Sequence, residues 1–213
     1  TTWNIYKQKI ELLKQQIISK KGDRCLLSII RIKELNVNPQ LLYEMLSKYG
    51  FSYEAIKDIH SSMEGESGKK FYSADHILLK DRDHLIIEAK KESISDKEFS
   101  VFENQSEINY PVHLSIKTIA RNEDFTLSKS LLSAQLDKDK LTFPLKIRHW
   151  REGDFFYPLG LSRKKKLSDF FIDEKIDLLK KEKIWLLTSG NEVVWIIGRR
   201  IDDRFKVTAK TET

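Results

Sequence analysis

Residues 143–175 constrain this chain more than any other stretch. They open on alternation, Phe143-Pro144-Leu145-Lys146-Ile147-Arg148-His149-Trp150, and turn at Glu152-Gly153-Asp154. Four cations then follow in a row, Arg163-Lys164-Lys165-Lys166. Apolar anchors stand on both sides of them: Trp150, Phe155, Phe156, Leu159, Leu161, Leu167, Phe170 and Phe171. A solvated basic tail does not carry so many aromatics. Four adjacent cations cannot all be buried, because an unpaired buried charge is costly. The segment is therefore expected to fold into a platform that holds a basic ridge at its surface. Such a ridge suits a polyanion, and RNA is the first candidate.

The rest of the chain has to complete that platform. Its 213 residues suit one large domain or two small ones, with room for a sizeable core. Hydrophobic residues make up 40% and charged residues 33%, and Gly and Pro are scarce, which excludes a low-complexity chain. The net charge of +6 is explained equally well by solubility or by an anionic partner; the clustering at 163–166 favours the partner. Cys25 is the only cysteine, so an intrachain disulfide and a cysteine-rich zinc site are both excluded, and a reducing, cytoplasmic setting is expected. The longest apolar runs, such as Val193-Val194-Trp195-Ile196-Ile197, are too short to span a membrane. The chain begins Thr1-Thr2-Trp3 and is expected to be a piece of a longer protein; a homo-oligomer is left open.

Trp3, Tyr6, Ile10, Leu13 and Ile17 recur at spacings of three and four and predict a helix over 3–21, stopped at Lys21-Gly22-Asp23. Residues 25–32 read as a strand. Asn38-Pro39 opens a second helix that ends before Gly50, and Ser52 caps a third running to about Met63. The period then changes. Residues 69–73, 76–80 and 84–88 read as short strands joined by turns at Asp75 and at Asp81-Arg82-Asp83. Residues 90–110 carry no clear signal. Residues 112–119 alternate like a strand, and the mixed passage 121–140 is the expected boundary. Beyond it the pattern predicts a strand over 141–148 and helix over 168–183 in two pieces. A hairpin of 184–188 and 192–197 turns at Ser189-Gly190-Asn191, and 205–208 is expected to form a last strand.

Few motifs suggest chemistry. Gly65-Glu66-Ser67-Gly68-Lys69-Lys70 resembles a phosphate loop but fails on glycine spacing, on the missing Ser or Thr, and on running from helix to strand; a helix-to-strand turn is the better reading. The five histidines, His60, His76, His84, His113 and His149, have no metal-ligand spacing, and His149 reads as a strand-end residue. Asp81 with Asp83 and Asp202 with Asp203 are carboxylate pairs beside Arg82 and Arg204, which suits turns and ion pairs better than acid–base work. Cys25 has only Arg24 as a basic neighbour. No catalytic constellation and no metal site is expected.

The ridge remains. Alternation puts Lys146 and Arg148 on one strand face. Trp150 and Phe155 read first as core anchors and second as base-stacking rings. Arg199 and Arg200, with Arg204, either extend the ridge or form a charged sheet edge.

The same residues carry a resemblance. Phe143-Pro144-Leu145-Lys146-Ile147-Arg148-x-Trp150-x-x-Gly153-Asp154, Pro158-Leu159-Gly160, Lys165-Lys166-Leu167-Ser168-Asp169-Phe170, Asp173-x-Lys175-Ile176 and Trp195-x-x-Gly198-x-Arg200-Ile201 resemble the C-terminal domain of the tRNA(Ile)-lysidine synthetase family. A weaker likeness over 46–89, around Gly50-Phe51-Ser52 and Gly68-x-x-Phe71-x-Ser73, resembles that family's middle region. The resemblance implies an ATP-dependent ligase forming a C–N bond. It adenylates the wobble cytidine of an isoleucine tRNA, and lysine then displaces AMP. ATP and Mg2+ would act in an N-terminal domain marked by Ser-Gly-Gly-x-Asp-Ser, a motif this sequence lacks.

The expected fold is α+β: a linker helix over 1–22, a mixed middle region over 23–135, and a C-terminal domain over 136–213 with a mainly antiparallel sheet. The expected partners are tRNA and the missing catalytic domain, with no cofactor in this chain. Arg148, Arg151, Arg163, Lys164, Lys165, Lys166, Lys175, Arg199 and Arg200 are the expected tRNA contacts, and Gly153 and Gly160 shape the loop. The alternative is a non-catalytic basic module that binds an acidic protein or another RNA. A stand-alone enzyme lacks support, for want of a nucleophile.

Overall fold

A computed structural model describes residues 2–90, 97–120 and 125–212. Two units divide it, Thr1–Ser93 and Ile94–Thr213. In the first unit, helix α1 (Thr2–Ile17) runs into strand β1 (Ile18–Lys21), which pairs with β2 (Arg24–Ser28). The helical series of apolar residues ends at Ile17 and no breaker follows before Gly22, yet the helix also ends at Ile17. Gly22 supplies the positive φ, +60°, that a tight hairpin needs, and pairing with β2 outweighs another helical turn. The expected helix therefore stops four residues early. It is also no separate linker, because Ile10, Leu13 and Ile17 are buried in the unit's core.

The expected strand over 25–32 is likewise split. Ser28 accepts a hydrogen bond from the Arg31 N–H and starts α2 (Ile29–Glu34). Two capped helices follow as the sequence predicts: α3 (Pro39–Leu46), with Asn38 as its cap, and α4 (Tyr53–Ser62), with Ser52. The meander β3 (Lys70–Tyr72), β4 (His76–Asp81) and β5 (His84–Ala89) also forms where expected. The sheet order is β1-β2-β5-β4-β3, and its pairs are antiparallel. The helices lay Leu42, Met45, Ile56 and Ile59 on Cys25, Leu27, Leu78, Leu85 and Ile87. The Gly65–Gly68 stretch is a turn: buried Lys80 donates to the Gly65 carbonyl at 2.6 Å, and Gly68 N–H donates to Lys80 O at 2.8 Å.

The second unit is built on a five-stranded antiparallel sheet. Its strands are β6 (Phe99–Val101), β9 (Leu145–His149), β12 (Trp185–Ser189), β13 (Glu192–Ile196) and β14 (Arg200–Ile201), in the order β14-β13-β12-β9-β6. Two small ladders accompany it: β7 (Glu107–Ile108) with β8 (Leu114–Ser115), and β10 (Phe155–Phe156) with β11 (Lys165–Lys166). Helices α5 (Leu167–Asp173) and α6 (Leu178–Lys181) give the expected helix in two pieces. Phe156, Leu167, Phe170, Phe171, Leu186, Val193 and Ile196 form one core cluster. Val101, Ile108, Leu145, Ile147, Leu187 and Trp195 form another.

Three expectations change here. The division between units falls after Ser93 rather than at 135/136, because β6 pairs with β9 and ties the region after residue 97 into the second unit. Only Leu114–Ser115 of the expected 112–119 strand pairs; alternation names a face but not a partner. Residues 205–208 are not a strand. The Asp202 carboxylate accepts from the Arg204 N–H and winds Asp203–Phe205 into a 3-10 turn. Residues 91–96 and 121–124, inside the two stretches the sequence leaves unassigned or as boundary, lie outside the described residues.

Candidate nucleic-acid interface

Strand β9 carries the first two cations and separates them. Both point to the face that alternation assigns, but the turn at 151–154 closes over one of them. Arg148 is 8% exposed and binds Asp154 through two hydrogen bonds of 2.8 Å, Nη1 to Oδ2 and Nη2 to Oδ1. Its Nη1 also donates to His149 O at 2.9 Å. Arg148 is thus a buried structural ion, not a contact for an incoming phosphate, and the expectation for it is corrected. A bidentate guanidinium–carboxylate pair with further hydrogen bonds is the arrangement that makes such burial tolerable. Asp154 Oδ2 accepts from the Arg151 N–H at 2.7 Å as well, so one carboxylate shapes the whole turn. Gly153, at φ +90°, lets the chain take that path.

Lys146 and Arg151 are exposed, and both engage Glu98, at 2.8 and 3.0 Å. The Lys146 hydrogen bond, against burial and with help from Arg151, holds the Glu98 carboxyl below its ordinary range. His149 is tied to Ile184 O at 3.1 Å and lies against Trp185, with ring centroids 3.7 Å apart. Burial pushes its imidazole pKa down. It is the strand-end histidine the sequence suggested.

The four-cation run sits at a strand–helix junction. In β10–β11, Phe155 faces Lys166 and Phe156 faces Lys165. Phe156 is fully buried and anchors the ladder, while Trp150 packs edge-on against Phe171 at 5.3 Å. Phe155 is only half-buried, and Lys164 Nζ stands 3.4 Å from its ring centroid. Lys165 pairs with Asp173 at 2.5 Å. Arg163, Lys164 and Lys166 are exposed and have no carboxylate partner among the described residues. Lys175 is exposed after α5, in the left-handed region at φ +52°.

Arg199 and Arg200 are placed apart. Arg200 is exposed on β14, an edge strand, and Arg199 is half-buried. Among the described residues, no hydrogen bond, ion pair or ring contact joins either to the 163–166 run. Arg204 is held by fully buried Asp202 and by Glu192. Asp202 also accepts from the Tyr157 N–H at 2.9 Å, and Asp203 accepts from the Gly160 N–H at 2.9 Å. That Gly160 hydrogen bond, then Lys206, holds the Asp203 carboxyl low. Gly160 itself sits at φ +84°. The carboxylates at 202 and 203 therefore fasten the loop that carries the ridge. Sequence reasoning missed Glu98 and Tyr157 as parts of the site, and took Asp154 as a turn residue without its pairing to Arg148. Tyr157 had a visible signal in its alternation with Phe155, and Glu98 had none.

Among the described residues no group of three or more His, Cys, Asp or Glu could hold a metal ion. No helix there is long and apolar enough to cross a membrane. Fold and surface define a two-unit α+β chain with a fixed cationic junction on its second unit.

Family models place the chain more narrowly. Residues 20–91 match the TilS substrate binding domain, and residues 145–213 match the TilS substrate C-terminal domain. The chain belongs to the tRNA(Ile)-lysidine synthase (TilS) family, as its substrate-binding and C-terminal part. It is 39% identical to a tRNA(Ile)-lysidine synthase of Parabacteroides distasonis, over 98% of this chain and 47% of that protein. It is 33% identical to one from Bacteroides thetaiotaomicron over 98% of this chain and 45% of the relative. One from Porphyromonas gingivalis is 30% identical over 88% and 43%. The chain thus spans about half the length of the curated relatives it matches.

Proposed function

We propose that this chain is the tRNA-recognition part of a tRNA(Ile)-lysidine synthase. The complete enzyme would use ATP and Mg2+ to adenylate the wobble cytidine and then join lysine to it, in a domain outside this sequence and in the cytoplasm. The observation that carries the reading is the junction itself: Arg163, Lys164 and Lys166 stand exposed, without a carboxylate partner among the described residues, on a ladder anchored by Phe156. Double-stranded RNA is recognised largely through shape and backbone, so fixed cations are the chemistry the task requires. Arg151, Lys165 and Lys175 flank the junction; Arg199 and Arg200 lie on a separate edge and contribute at most to peripheral contacts.

The test is an electrophoretic titration of tRNA with the chain and with a variant carrying Arg163→Glu, Lys164→Glu and Lys166→Glu. The wild type is expected to bind at low salt without releasing pyrophosphate or AMP from ATP, and the variant to lose at least about tenfold in affinity. Unchanged affinity would favour a module that meets an acidic protein instead.

A further inference from the structure

Phe155 and Tyr157 lie two residues apart in the chain, on either side of buried Phe156. Both residues are half-buried, with ring centroids 6.5 Å apart and planes at 77°. Cations attend each ring. Arg204 Cζ lies 4.6 Å from the Tyr157 centroid and is fixed there by two hydrogen bonds to Asp202. The Asp202 carboxylate also holds the Tyr157 backbone. Over Phe155 stands Lys164, which has no carboxylate partner among the described residues. Lys166 faces Phe155 across the ladder.

We infer that Phe155 and Tyr157 form a stacking platform for unpaired nucleotides, with Lys164 and Lys166 on their phosphates. Neither Phe155 nor Tyr157 belongs to a core cluster of the second unit, so core packing does not account for their positions. Single-stranded nucleic acid is bound by this combination, aromatic faces for bases and cations tracking the backbone. Tyr157 and Arg204 are the prefixed half of the platform. Phe155 is the half capped by a movable lysine, which a base can displace from the ring while the ammonium turns to the adjoining phosphate. The inference rests on the RNA-binding reading above and specifies what Phe155 and Tyr157 add to it: they take an unpaired end that adjoins the duplex.

The experiment compares two RNA hairpins with the same stem, one blunt and one with a four-nucleotide 3′ overhang, by filter binding to the full chain. The wild type is expected to prefer the overhang by at least about fivefold, the lower end of what one stacked base contributes. Phe155→Leu and Tyr157→Leu are expected to erase that preference, and Phe155→Trp to keep it. A melting temperature within a few degrees of the wild type shows that each variant is folded. Equal binding of the two hairpins by the wild type, or a preference that survives both leucine variants, would overturn the platform and leave the RNA-binding reading standing. Failure to bind either hairpin or tRNA would overturn both.

Discussion

Arg148 and Lys164 are both cations of the same stretch, and their surroundings assign them opposite work. Arg148 is paired bidentately with Asp154 and is nearly excluded from water. Removing one partner of such a pair strands the other charge, which costs about 3–5 kcal/mol. Arg148→Ala is therefore expected to lower the urea midpoint of the second unit sharply, whereas Lys164→Ala leaves it in place. His149 makes a prediction in pH. Burial lowers its folded pKa below the ordinary value of 6.5, so the unfolded chain takes up a proton first. Its contribution is complete above about pH 6.5 and is lost as pH falls through the folded value. The melting temperature of the wild type should drop across that window relative to His149→Gln. A constant difference between the two proteins from pH 7.5 to pH 5 would refute this.

At the scale of elements, the ladder β10–β11 and helix α5 decide which cations are presented. Lys165 is drawn off the ridge by Asp173, an exposed partner. Surface pairs of this kind contribute about 0–1 kcal/mol. Asp173→Asn should leave stability within that margin and tighten tRNA binding at low salt, read by titration, because a negative charge leaves the junction. Most elements were legible in the chain. Asn38 and Ser52 announce α3 and α4, and alternation with turn residues announces β3 to β5 and the β12–β13 hairpin. The losses share a cause: local pattern does not name a distant partner. Residues 18–21 hold no helix breaker but pair with β2, and 205–208 look extended but yield to the Asp202 cap. In the site, the cationic run and its anchoring by Phe156 could be read directly. The burial of Arg148 could not, because strand alternation is blind to a turn that folds back over the same face.

For the whole molecule, two units with their own cores share one chain, and the charge that matters is local rather than total. A net charge of +6 spread evenly would give weak, diffuse attraction; the proposed site instead gathers three exposed cations at one junction. The chain belongs to the lysidine synthase family and spans about half the length of its curated relatives, so the recognition role is proposed for this part of the protein. The central claim is that Arg163, Lys164 and Lys166 neutralise tRNA phosphates. Each phosphate contact releases counterions, so the slope of log affinity against log salt counts them at about 0.9 per contact on duplex nucleic acid. The direct measurement is that slope for the wild type and for a variant with Arg163→Gln, Lys164→Gln and Lys166→Gln. The account predicts a slope shallower by about one for each side chain that is neutralised. An unchanged slope with unchanged affinity would contradict it.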